Sequence, residues 1–196
     1  MTTKDLIVKV IEWAEDRNLV STDKVSQSAQ YLKTLEELGE LAEGINKADM
    51  ELIKDAIGDV LVCLIILSED MDCDSTSDTM SVVLDCGGTD MWYNFHPMVS
   101  LLTLLAELSE EIFCDTEGAP NYIELEDTFG IMCNALARLC VPFGLNVVDC
   151  LEHAYDQIKD RKGIMYNRVF IKESDPRFEE IRNKVLNEKI NILDKL

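Results

Sequence analysis

The sequence predicts an all-α protein, a helical bundle organised around one acidic hairpin. Three observations carry this expectation. Apolar residues recur at three- and four-residue spacing along several stretches, the period of a helix with one buried face. Residues 31–67 hold two such stretches, and the link at 46–50 is short enough to fold them back antiparallel. A second pair of helical stretches, at about 97–114 and 123–139, reads as either a degenerate internal repeat or an inserted helical hairpin.

Residues 4–18 carry Leu6, Ile7, Val10, Ile11, Trp13 and Ala14 at helical spacing and predict a packing helix, with Trp13 in the core. Ser21 to Asp23 reads as a turn or helix cap. On the helix that follows, Glu36, Glu37, Glu40 and Glu43 fall on one side and Tyr31, Leu35, Leu38, Leu41 and Ile45 on the other. Lys33 and Lys47 stand at the i,i+4 positions that pair with Glu37 and Glu43.

The second helix is apolar on every side from Val60 to Leu67, which predicts burial. Asp55 and Asp59 lie one turn apart at its start. A buried carboxylate is costly unless it is paired, hydrogen-bonded or bound to a metal. If the hairpin closes, Glu36, Glu37 and Glu40 face Asp55 and Asp59, and such a cluster raises its members' pKa values or recruits a hard cation. The competing reading is a solvated acidic face on the first helix and ordinary first-turn acids on the second.

The run Glu36-Glu37-Leu38-Gly39-Glu40 resembles the EExxE half of the motif of MazG-like nucleotide pyrophosphohydrolases, all-α enzymes related to the dimeric dUTPases. The second half of that motif is ExxD. Asp59 matches its aspartate, but Ala56 stands where the glutamate belongs and Asp55 lies one residue earlier. Positions three and four residues back return to the same helix face, so Asp55 can substitute. The resemblance implies Mg²⁺, or Mn²⁺, held by Glu37, Glu40 and Asp59, with Glu36 and Asp55 as ligands or as the group that polarises water. It also implies a nucleoside triphosphate substrate and a homo-oligomer, a dimer by preference.

Residues 68–79 form a polar acidic link in which Asp70, Asp72, Asp74 and Asp78 lack the central Gly and terminal Glu of a calcium loop. Met80 to Leu84 suggests a short strand or irregular apolar packing. Pro97 opens a helix with Leu101, Leu104, Leu105, Leu108 and Ile112 inward. Glu107 and Glu110 repeat the spacing of Glu37 and Glu40, and Asp127 and Gly130 that of Asp55 and Gly58, but Ile131 occupies the position matching Asp59. A second active centre is therefore not expected. His96 and His153 read as surface or capping residues.

Val148, Leu151, Tyr155 and Ile158 form an amphipathic stripe ahead of Lys159, Arg161, Lys162 and Gly163, which resembles the C-terminal arm of phage-type MazG-like proteins. Lys159 and Arg161 are the candidate phosphate contacts, with Asn167 as a polar contact; the alternative is compensation of the helix dipole and pairing with Asp156 and Asp160. Residues 177–196 give a further helical pattern. The expected organisation is a domain over 1–172, with 73–143 as insertion or repeat, and a helical extension over 173–196.

The net charge of −20 is uneven, because no Lys or Arg lies between Asp55 and Ala137. Such a field argues against direct binding of a nucleic-acid backbone but not against a nucleotide, whose phosphates a divalent metal can bridge to carboxylates. Seven cysteines without a C-x-x-C, a start without a signal-like segment and an apolar run too short to span a bilayer predict a soluble cytoplasmic protein, in the host cell if phage-encoded, with no membrane partner. The function implied by the carboxylate arrangement together with the resemblance to MazG-like enzymes is metal-dependent hydrolysis of (deoxy)nucleoside triphosphates to monophosphate and pyrophosphate. The alternative is a non-catalytic acidic helical protein that binds a basic partner or serves as an assembly module.

Overall fold

The acidic hairpin closes as its short link predicts. In the computed structural model, which describes residues 1–17, 19–73, 76–88, 96–113, 122–166 and 169–184, helix α2 (Lys24–Lys47) is joined to α3 (Met50–Asp70) by Ala48 and Asp49 alone. Ala48 takes the left-handed conformation (φ 53°), and the N–H groups of Ala48 and Asp49 donate to the carbonyls of Ile45 and Gly44. Asp23 caps α2 by accepting from Val25 and Ser26, and Asp49 caps α3 by accepting from Leu52. The two helices run antiparallel: Gln30 Nε2 donates to the Cys63 carbonyl and Gln27 Nε2 to that of Asp70.

Helix α3 is the centre of the molecule. Every residue from Val60 to Leu67 is buried, because α3 contacts α2 and α1 (Thr3–Glu15) as well as α6 (Tyr122–Cys140) and α7 (Val147–Ile158). It also meets α7 closely. A Cβ on Gly58 would lie 2.3 Å from the Cys150 carbonyl oxygen and 2.8 Å from Ala154 Cβ, so only glycine allows this crossing.

Residues 80–84 are helical, not a strand: α4 spans Thr76–Asp85 and buries Met80 and Leu84, one turn apart, while Val82 points outward. The β-preference of two adjacent valines is weak beside packing against α1 and α6. Helix α5 (Pro97–Phe113) packs on α6 and α2, and His96 caps it through Nδ1, which accepts from the Met98 N–H at 3.3 Å. A 3-10 turn at Val141–Phe143 leads into α7, and one apolar core runs through α1 to α7.

The sequence reading did not anticipate strands after α7. β1 (Gly163–Tyr166) and β2 (Val169–Lys172) form an antiparallel hairpin with Gly163 opposite Lys172 and Tyr166 opposite Val169. Residues 178–184 are helical, and Phe178 and Ile181 form a small second cluster with Ile171. No single helix among the described residues is long and apolar enough to cross a membrane.

Candidate active site

The split of α2 into an acidic and an apolar face holds with two exchanges. Leu35 is exposed, whereas Glu37 is buried at 5% exposure. Thr34, Leu38 and Leu41 define the line facing α3, and at 100° per residue Glu37 lies closer to that line than Leu35 does. Glu36, Glu40 and Glu43 remain on the outer side.

Lys33 makes the burial of Glu37 tolerable. Its Nζ lies 2.6 Å from Glu37 Oε1 and 3.2 Å from Glu36. Partial burial works against the lysine's charge, but the two glutamates outweigh it and raise its pKa. The other carboxylate oxygen, Glu37 Oε2, is buried with no hydrogen-bond partner among the described residues. Glu43 is paired with Lys47 one turn later, as its spacing predicts.

Across the seam, Asp59 is half-buried at the start of the apolar run. Burial, followed by the charges of Glu37 and Asp55, pushes its pKa up to about 7, with Arg161 and Lys33 acting the other way. Glu40 is also raised, first by Glu37, then by burial and by Glu36 and Asp55. Glu36, Glu37, Glu40, Asp55 and Asp59 therefore form one electrostatically connected cluster from two helices.

The third wall is α7. Gln157 Nε2 donates to Asp55 Oδ1 at 2.7 Å and lies 3.0 Å from His153 Nε2, which is itself 3.6 Å from Asp55. Arg161 Nε donates to the Gln157 carbonyl, and Arg17 donates to that of Arg161 at 2.9 Å. His153, which the sequence suggested as a surface or capping residue, stands part-exposed beside the cluster, and Gln157 was missed. The available signal was the i,i+4,i+8 spacing of His153, Gln157 and Arg161, which places all three on one face.

Of the candidate phosphate contacts, Arg161 acts on Asp59, while Lys159 is paired with Asp156 at 2.6 Å. Asn167 lies outside the described residues. In the second hairpin Glu107, Glu110 and Asp127 are exposed. Gly130 meets Thr79 of α4, as Gly58 meets α7.

A hard divalent cation suits this donor chemistry. The cluster presents hard oxygen ligands, an orphaned buried oxygen at Glu37 and an aspartate whose charge is disfavoured as it stands. The side chains are not gathered around one point, however: among the described residues no three His, Cys, Asp or Glu groups are arranged so that they could hold a metal ion. Repulsion among unshielded carboxylates favours such spreading.

Residues 25–85 match the family model of the MazG nucleotide pyrophosphohydrolase domain, and that matched stretch contains Glu36, Glu37, Glu40, Asp55 and Asp59. The chain is similar to an uncharacterized 18.2 kDa protein from the rep-hol intergenic region of Haemophilus phage HP1 (strain HP1c1), with 29% identity over 161 residues, covering 77% of this chain and 96% of that protein. No solved structure gives a significant match.

Proposed function

We propose that the protein hydrolyses (deoxy)nucleoside triphosphates to the monophosphate and pyrophosphate with a divalent cation, Mg²⁺ or Mn²⁺. The observation that carries this reading is that the buried Glu37 and the half-buried Asp59 stand in one cluster inside the stretch that matches the MazG family model. Glu37, Glu40 and Asp59 are the principal ligands, with Glu36 and Asp55 as further ligands or as the group that takes a proton from the attacking water. Cations bound there neutralise charge on the substrate phosphates and lower the pKa of water. Lys33 holds Glu37 in the seam, and Arg161 adds positive charge toward the phosphates. Lys159 and Asn167 are secondary phosphate contacts in this reading, and Lys159 must leave Asp156 to serve.

The reading includes assembly into a homo-oligomer, a dimer by preference. Exposed Leu32 and Leu35 on α2 and exposed Leu102 and Phe113 on α5 support it, since solvent-facing apolar groups on adjacent helices gain by being covered. Direct nucleic-acid binding is not part of the reading.

The test is a panel of canonical, deoxy and modified nucleotides with Mg²⁺ or Mn²⁺, with products resolved as monophosphate plus pyrophosphate or diphosphate plus phosphate. Wild type releases pyrophosphate. Glu37→Gln and Asp59→Asn lose more than the roughly 10- to 100-fold that outer-shell contacts to a metal site are worth. Release of no pyrophosphate from any nucleotide by folded protein overturns the reading. Metal-independent capture of a basic protein, unchanged by Glu37→Gln, would favour an acidic binding module, the reading that the spread carboxylates support.

A further inference from the structure

Asp55 departs from the ExxD spacing, and the structure shows where the displacement sends it. Relative to Asp59, positions 55 and 56 lie on opposite sides of the α3 axis direction, about 100° apart. Ala56 turns into the core at 1% exposure, where burial makes a carboxylate costly. Asp55 turns instead toward α7 and meets Gln157.

That contact is well built for holding a carboxylate. A carboxylate only accepts, so the amide nitrogen of Gln157 must be the atom that faces Asp55 Oδ1 at 2.7 Å. The same nitrogen lies 3.0 Å from His153 Nε2, so the amide's second hydrogen is donated there when that ring nitrogen is unprotonated, which orients the amide plane. The backbone beneath is fixed as well, because Arg161 bonds the Gln157 carbonyl and Arg17 bonds that of Arg161. Close packing at Gly58 holds α7 at the distance this requires.

We propose that Gln157 is a positioning residue that holds Asp55 toward Asp59 and Glu40, so that the off-register aspartate serves as a cation ligand through its remaining oxygen. The proposal rests on the pyrophosphohydrolase reading for its purpose and on the α3–α7 contact for its geometry. Outer-shell donors of this kind orient metal-binding carboxylates, and losing one weakens metal affinity about 10- to 100-fold. Gln157 is exposed, so its replacement leaves the core intact.

The experiment titrates Mn²⁺ into the full chain and follows the loss of the free-ion electron paramagnetic resonance signal. It compares wild type with Asp55→Ala, Gln157→Ala and Gln157→Glu, and with Glu152→Ala as a control on the exposed side of α7. Gln157→Ala weakens Mn²⁺ binding about 10-fold, Gln157→Glu weakens it further by setting a like charge beside Asp55, and Glu152→Ala does nothing. In turnover assays the Mn²⁺ activation constant rises in parallel, while kcat at saturating Mn²⁺ stays within a few-fold. Mn²⁺ binding within twofold of wild type in both Gln157 variants overturns the proposal. Binding that responds to Gln157 in a protein that releases no pyrophosphate supports the positioning role and overturns the reaction instead.

Discussion

At the scale of single residues, the chain carries a second buried acid far from the candidate site. Asp70, at the opposite end of α3, is fully buried; its Oδ1 accepts from the Ser21 N–H at 2.7 Å, and its Oδ2 has no hydrogen-bond partner among the described residues. Burial raises its pKa to about 7, with Asp23 and Glu69 adding to the shift and the Ser21 bond opposing it. A carboxyl raised in the folded state costs stability wherever it is ionised. That cost is full above about pH 7 and is relieved as pH falls toward 4, where the unfolded carboxyl also protonates. Asp70→Asn keeps an acceptor for Ser21 and removes the charge. Urea melts are expected to show the variant more stable than wild type at pH 8, on the order of a few kcal/mol, with the gap shrinking below pH 7 and closing toward pH 4. The sequence showed Asp70 only as one acid in an acidic link. Its burial depends on where α3 ends against the turn before α2, and spacing does not encode that.

At the scale of elements, the helices were legible and their neighbours were not. The periods of α1, α2, α3, α5, α6 and α7 are all present in the sequence, and so is the link that pairs α2 with α3. What was not legible is that α7 crosses α3 at the acidic end, because a glycine at 58 can mean a kink, a cap or a close approach. The exchange of Leu35 for Glu37 at the seam has the same origin: a helix with partners on two sides buries more than one stripe. Gly58→Ala gains up to about 1 kcal/mol of helix propensity. It also drives a methyl group into the Cys150 carbonyl, and overpacking costs about 1–3 kcal/mol. A net loss of thermal stability is expected, with Asp55 drawn away from Gln157. The second hairpin is tested by Glu107→Gln combined with Glu110→Gln. Both side chains are exposed, and turnover is expected to stay at the wild-type level with helicity unchanged by circular dichroism.

At the scale of the whole molecule, the acidic balance matters more than any one pair. A net charge of −20 repels itself in the compact state, and salt screens that repulsion over a Debye length of about 10 Å at 0.1 M. The midpoint of thermal unfolding is expected to rise between 10 mM and 500 mM NaCl, most steeply at the low end. Mg²⁺ is expected to raise it further at matched ionic strength, and that excess should shrink in Glu37→Gln. A midpoint that falls with salt would mean that attractive pairs such as Lys33 with Glu37 dominate the balance. The all-α class, the charge asymmetry and the acidic cluster could all be read in advance, since each depends on composition or local period. The β1–β2 hairpin could not, because four-residue strands beside a basic turn leave almost no periodic signal.

The docking of α1 against the end of α7 has an optical consequence. Trp13 donates its indole N–H to the Ile158 carbonyl at 2.9 Å, lies under the Arg17 guanidinium and touches the Phe170 ring. The chain has only two tryptophans, so replacing Trp92 with phenylalanine and exciting above the tyrosine absorption leaves one emitting tryptophan, seated where α1, α7 and β2 meet. Its emission maximum and quenching by acrylamide then report, without any label, whether the helix bearing His153, Gln157 and Arg161 is seated against its neighbours.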